Sequence, residues 1–188
     1  MTLDPNQQVL RLRKKHAPGI HPRPDVSDGA RLAALQSVRN AIVAAIIATI
    51  LSALALTSVS TMLGRVLPWA TMLLGLAVGF AVQRGGRGID WRFPVLAAVI
   101  AFLGSIGSNI VVGANAAAGE LGTNTFTVLR NVTIHTWPVF FDEVMTAADF
   151  IYAFFSAGIA AFFANRRLTR RQYHAIRLWQ EHQDNDQA

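Results

Sequence analysis

AIVAAIIATILSALALTSVSTML, the stretch from Ala41 to Leu63, decides how this chain is read. It carries no charged side chain from end to end. A helix rises about 1.5 Å per residue, so about 20 apolar residues suffice to cross roughly 30 Å of hydrocarbon. Three further runs qualify. They are Leu67 to Gln83 (LPWATMLLGLAVGFAVQ), Phe93 to Asn115 (opening FPVLAAVIAFLGSIGSN) and Ala148 to Asn165 (ADFIYAFFSAGIAAFFAN). The second and fourth runs are the short ones, at the lower limit of what spans a bilayer. They must stand nearly upright or draw on flanking Trp69 and arginines as interfacial anchors. The expected fold class is therefore all-α: an integral membrane four-helix bundle with spans 41–63, 67–83, 93–115 and 148–165.

Composition points the same way. Of 188 residues, 52% are hydrophobic and 15% charged, and mean hydropathy is +0.35. A soluble domain carries about a quarter charged residues. There is no cysteine, which excludes disulfides, thiolate metal sites and cysteine nucleophiles. A cleaved secretory signal is disfavoured, because the first apolar run begins only at Ala41 and is too long for an h-region. A transit peptide is disfavoured too, since no serine precedes Ser27.

Charge sets the orientation. Fifteen of the 17 Lys and Arg residues fall in three places: the basic segment 1–40, the loop between spans two and three, and the tail 166–188. The other side keeps Arg65 and Arg130, with Glu120, Asp142, Glu143 and Asp149. Asp149 is expected at the rim of the fourth span. By the positive-inside rule both termini are cytoplasmic, which requires an even number of spans.

The connections differ in character. GRV joins the first two spans and is too short for anything but an antiparallel hairpin. Pro68 and Pro94 suit first helical turns, where a missing N–H is harmless. VSDGARLAALQSVRN, capped by Ser27 or Asp28, reads as a helix running straight into the first span. HAPGIHPRPD before it reads as irregular. In the outer loop 116–147, Phe126, Leu129 and Val132 form a weak helical stripe that Pro138 interrupts. Two short interfacial helices are expected there; a re-entrant loop is the alternative, provided protein buries its backbone.

Chemistry-bearing residues are sparse. The cores of the four runs hold no Asp, Glu, Lys, Arg or His. Proton relays and ion-coupled carriers place ionisable groups there, and no internal repeat of the transporter kind is present. Small residues recur at four-residue spacing. Ala97, Ala101, Ser105, Asn109 and Gly113 form one stripe, Gly75 and Gly79 make a GxxxG, and Ser156, Ala160 and Ala164 form another stripe. Such faces let helices approach closely, within a chain or between chains. The alternative is that Ser105 and Asn109 line a pore. RGGRGIDWR is no P-loop. It reads as a tight turn with Asp90 pairing Arg84, Arg87 or Arg92, or as an anion or lipid-headgroup site. RRLTRRQYHAIRLWQEH reads as a continuation of the fourth helix. Arg166, Arg170, His174 and Arg177 would share one face, with Leu168, Ile176 and Trp179 away from it. That face, like VLRLRKK near the start, suits anionic lipid; an acidic protein partner is the alternative. His135, Asp142 and Glu143 match no metal-ligand frame, and no Ser-His-Asp set is present. No metal, cofactor, catalytic residue or nucleic-acid partner is expected.

The stretch Val78 to Ile110 resembles a group of uncharacterised bacterial multi-span membrane proteins. Gly79, Arg84, Gly88, Arg92, Phe93, Gly104 and Asn109 carry the likeness, together with an aspartate-and-aromatic opening of the last span, here ADFIYAFF. Some members of that group have a cysteine-rich zinc module, and this chain has no cysteine to form one. The resemblance implies a bacterial inner membrane and no activity. The expected role is a structural, accessory or scaffold subunit that self-associates or joins a larger complex. An oligomeric channel lined by Ser, Thr and Asn, and a lipid-handling protein, are the alternatives.

Overall fold

Short polar side chains placed just before apolar runs set most of the helix starts. The computed structural model describes residues 25–166 and 168–187. Asp25 accepts from the Val26 amide at 2.8 Å and opens α1, Val26–Ala34. Ser37 accepts from the Asn40 amide at 3.3 Å and opens α2, Val38–Leu63. Each cap satisfies an amide that the helix itself leaves unbonded. The expected single helix from Val26 into the first span is thus two helices, and its cap is Asp25, not Ser27 or Asp28. The break is pinned from outside. Ser37 donates its amide to the Gly86 carbonyl at 3.0 Å, and the Gln36 side-chain oxygen accepts from the Ile89 amide at 3.3 Å.

α2 closes on Gly64 at φ +64, where glycine carries no Cβ penalty. The Arg65 and Gly64 amides fold back onto the Ser60 and Thr61 carbonyls, each at 3.3 Å. A 3₁₀ turn, Pro68–Ala70, leads into α3, Thr71–Gly86. α4 runs Arg92–Glu120, past the expected end of the third run at Asn115. The segment between α4 and α7 holds α5, Thr125–Asn131, and α6, Trp137–Val144, with Pro138 in the first turn of α6. α7, Ala147–Ala164, opens on a capping box between Thr146 and Asp149. α8 is Arg170–Gln187. Thr169 and Gln172 cap it reciprocally, at 3.4 Å and 3.1 Å. Helix eight is therefore not a continuation of α7, because the TRRQ box starts a new helix. Every described element is helical.

α3 and α4 pack on each other, and α2 and α7 each pack on both. α3 is the enclosed helix. Seven of its 16 residues are buried, at Thr71, Leu74, Gly75, Val78, Gly79, Val82 and Gly86. In α2 only Ala41 and Ala45 of 26 residues are buried. The core joins Ala41, Ala45, Leu74, Val78, Val82, Phe93, Ala97, Ala101, Ala160 and Ala164. α2, α4 and α7 are long and apolar enough to cross a membrane, which marks a membrane protein. α3, at 16 residues, is shorter than these three.

The starts of α2 and α4 and the ends of α3 and α7 lie together. The bonds from Ser37 to Gly86 and from Ile89 to Gln36 tie them, as does Gln83 Nε2 donating to the Asn165 carbonyl at 3.0 Å. α1 and α8 pack on each other at this basic end. Gly29 of α1 lies against the Ala175 carbonyl and the Trp179 Cβ of α8. At the opposite end, Gly113 of α4 meets Val144 of α6, and Asn115 donates to Thr61 at 2.9 Å.

Candidate functional site

Two constellations stand out, one inside the bundle and one at its basic end. The four-residue stripe of α4 faces inward. Ala97, Ala101, Ser105 and Asn109 are all buried. Ser105 Oγ donates to Ser156 Oγ of α7 at 2.9 Å. One turn on, Asn109 Nδ2 donates to Asp149 Oδ1 at 3.0 Å. Asp149 Oδ2 accepts from the Thr146 amide at 2.8 Å and its hydroxyl at 2.6 Å. Asp149, expected at the rim of the fourth span, is 4% exposed. Three donors and the first turn of α7, where unbonded amides favour negative charge, hold it there. The Thr-x-x-Asp spacing at 146–149 is the sequence signal for this.

The small-residue faces meet within this chain. Gly75 lies against the Ser156 backbone, and Gly79 against the Ala160 carbonyl and the Phe163 Cβ. Gly113, at the end of the stripe, takes the Val144 side chain. A side chain at Gly75 or Gly79 would push α3 from α7. Beside the stripe, Ser108 Oγ is buried without a hydrogen-bond partner. It borders a cavity of about 20 Å³ that Thr71 and Asn109 also line. That is room for about one water molecule and for no larger ligand. Ser105 and Asn109 spend their side-chain polar groups on cross-links from α4 to α7.

The basic end is more open. Arg84 sits 5.6 Å from the Phe80 ring centre, a cation–π distance. Arg87 takes a left-handed conformation at the end of α3, and Arg92 opens α4. Among the described residues, Asp90 forms no ion pair with Arg84, Arg87 or Arg92, whereas Arg177 pairs with Glu181 at 2.9 Å. Arg166 and Arg170 border a cavity of about 540 Å³. Its walls come from five places, the first being Ala33 of α1. Gln36 belongs to the α1–α2 turn, Asp90 to the α3–α4 connection, Asn165 and Arg166 to the α7–α8 connection, and His174 and Trp179 to α8.

This corrects the expected helical face. Arg166, Arg170 and His174 do come together, but Arg177 turns to Glu181. Leu168, Ile176 and Trp179 line the same cavity instead of pointing away from it. α7 ends at Ala164 and α8 starts afresh at Arg170, which brings both sets to one place. Gln36 is a wall residue that sequence reading misses. The basic VLRLRKK segment lies outside the described residues. Comparison with known protein families, curated proteins and solved structures finds no match.

Proposed function

We propose that this chain is a multi-pass protein of a bacterial inner membrane, crossing four times through α2, α3, α4 and α7. Both termini are cytoplasmic, and α5 and α6 lie at the outer interface. Its role is that of a structural or accessory subunit that self-associates or joins a larger membrane complex. The observation that carries the reading is the surface of α2. Val43, Ile46, Ile47, Ile50, Leu51 and Leu54 are between 48% and 61% exposed. Four of its hydroxyls are satisfied inside the helix, with Thr49, Thr57, Ser58 and Thr61 donating to carbonyls four residues back at 2.8–2.9 Å. That face offers hydrocarbon and almost no free polar group, as a bilayer or an apolar partner helix requires.

Depth supports the same placement. From Arg92 to Asn109 the rise along α4 is about 26 Å, which sets the Asn109–Asp149 pair near the far edge of a roughly 30 Å core. The resemblance to bacterial multi-span proteins and the gathering of arginines at one end support the setting. A subunit role is favoured over a channel because the stripe a pore needs is filled by the chain's own α7. The features left to act are surfaces: the α2 face and the basic end.

Mild-detergent extraction followed by mass measurement tests this. A particle larger than the 20.4 kDa chain is expected once bound detergent is subtracted. In a variant carrying Ile46→Trp and Ile50→Trp on the outward face of α2, that mass falls while the helical signal persists. A single copy without partners, in both forms, overturns the subunit reading.

A further inference from the structure

We propose that the cavity at the basic end binds a phosphate-bearing anion, and that the headgroup of an anionic phospholipid is its source. The membrane reading above is needed for that source, not for the phosphate site itself. At about 540 Å³ the cavity falls in the size range of small-ligand sites, roughly 300–1,000 Å³. Arg166, Arg170 and His174 border it, and Asp90 is the one carboxylate among the described residues that does. Arg166 and Arg170 form no ion pair with a described carboxylate. Guanidinium forks left unpaired in this way match phosphate oxygens in geometry and charge.

The other walls fit the rest of a headgroup. Gln36 already accepts from the Ile89 amide through its side-chain oxygen, so its NH₂ group is left to donate. Asp90 lies on the α3–α4 wall and repels an anion there, which places the phosphate on the α7–α8 side. Leu168, Ile176 and Trp179 are half-buried and give that side an apolar backing. Tryptophan is suited to the boundary between hydrocarbon and water. The cavity sits where α7 ends and α4 begins, the level at which a bilayer presents its phosphates, and basic pockets there gain from the negative leaflet.

The test uses the full chain, stripped of lipid in mild detergent and studied by native mass spectrometry. Dioleoyl phosphatidylglycerol and dioleoyl phosphatidylcholine are added separately. Preferential retention of phosphatidylglycerol is expected. Arg166→Gln with Arg170→Gln should weaken that retention by about thirtyfold, the worth of two juxtamembrane charges. The Arg166→Lys, Arg170→Lys variant keeps the charge without the fork and should recover only part of it, and Arg130→Gln at the opposite end should change nothing. Inorganic phosphate at millimolar level separates the sources: displacement of the lipid assigns the site to free phosphate, and its persistence assigns it to the headgroup. Equal retention of the two lipids, unaffected by the glutamine pair in a protein of unchanged helicity, overturns the proposal. Failure of the membrane reading shows separately, as chain recovered in aqueous buffer without detergent, where phosphate binding is still measurable.

Discussion

Arg87 holds the one positive φ among the described residues that is not on a glycine, at +47. Its neighbours explain the oddity. Gly86 and Gly88 both lie against the Phe93 ring, and Gly85 against Ala44 and the Asn40 carbonyl. The glycines of RGGRG are needed for close approach, so the left-handed position falls on arginine. The sequence shows a glycine-rich turn but not which residue bears the strain, since that depends on where Phe93 packs. Arg87→Gly should stabilise the protein by about 0.5–1 kcal/mol, the left-handed penalty less glycine's own entropic cost. Gly88→Ala should cost about 2 kcal/mol through overpacking against the ring. Thermal unfolding in detergent reads both. Serines close together on α4 should also differ. Ser105→Ala removes a donor from Ser156 and should cost about 1 kcal/mol. Ser108→Ala removes a hydroxyl without a partner and should be neutral or stabilising. Equal losses from the two serines would refute this reading of the ladder.

Helix boundaries are where sequence reading fails, and three of the helix starts share a cause. Hydropathy locates apolar runs, but it passes over Ser37, Thr146 and Thr169, whose side chains stop and restart the backbone ladder. Two of these are threonine boxes, Thr146–Asp149 and Thr169–Gln172. Both are readable as spacing, and neither is distinctive enough to outweigh a continuous helical pattern. The consequence is large for α8. Had it continued α7, its basic face would stand clear of the bundle. Restarted at Arg170, it packs on α1 and walls a cavity. Thr169→Ala removes the cap and should cost that helix about 1 kcal/mol. Limited trypsin digestion checks this. Cleavage at Arg170, Arg171 and Arg177 should speed up, while the bundle between Arg92 and Arg130 stays as resistant as before. Unchanged cleavage would mean the contact with α1, and not the cap, holds α8.

For the whole molecule, charge and helix direction fit together. The described arginines at 31, 39, 84, 87, 92, 166 and 170 belong to α1 or to the connections and helix ends that gather at one end of the bundle, while Arg65 lies in the α2–α3 connection and Arg130 in α5 at the other. Reporter tags fused to the two termini should therefore report the same side of the membrane, and a tag placed in the 121–124 connection the opposite side. Termini on different sides would leave an odd number of crossings and undo the four-crossing proposal. The helical class and the charge pattern are legible along the chain, because both follow from local quantities: the length of an apolar run and the sign of the residues beside it. Tertiary structure alone decided which small-residue faces meet, that Asp149 is buried against Asn109, and that Arg166, Arg170 and His174 border one cavity. Those depend on the rotation of each helix about its axis and on where α8 restarts, and residues far apart in the chain fix both.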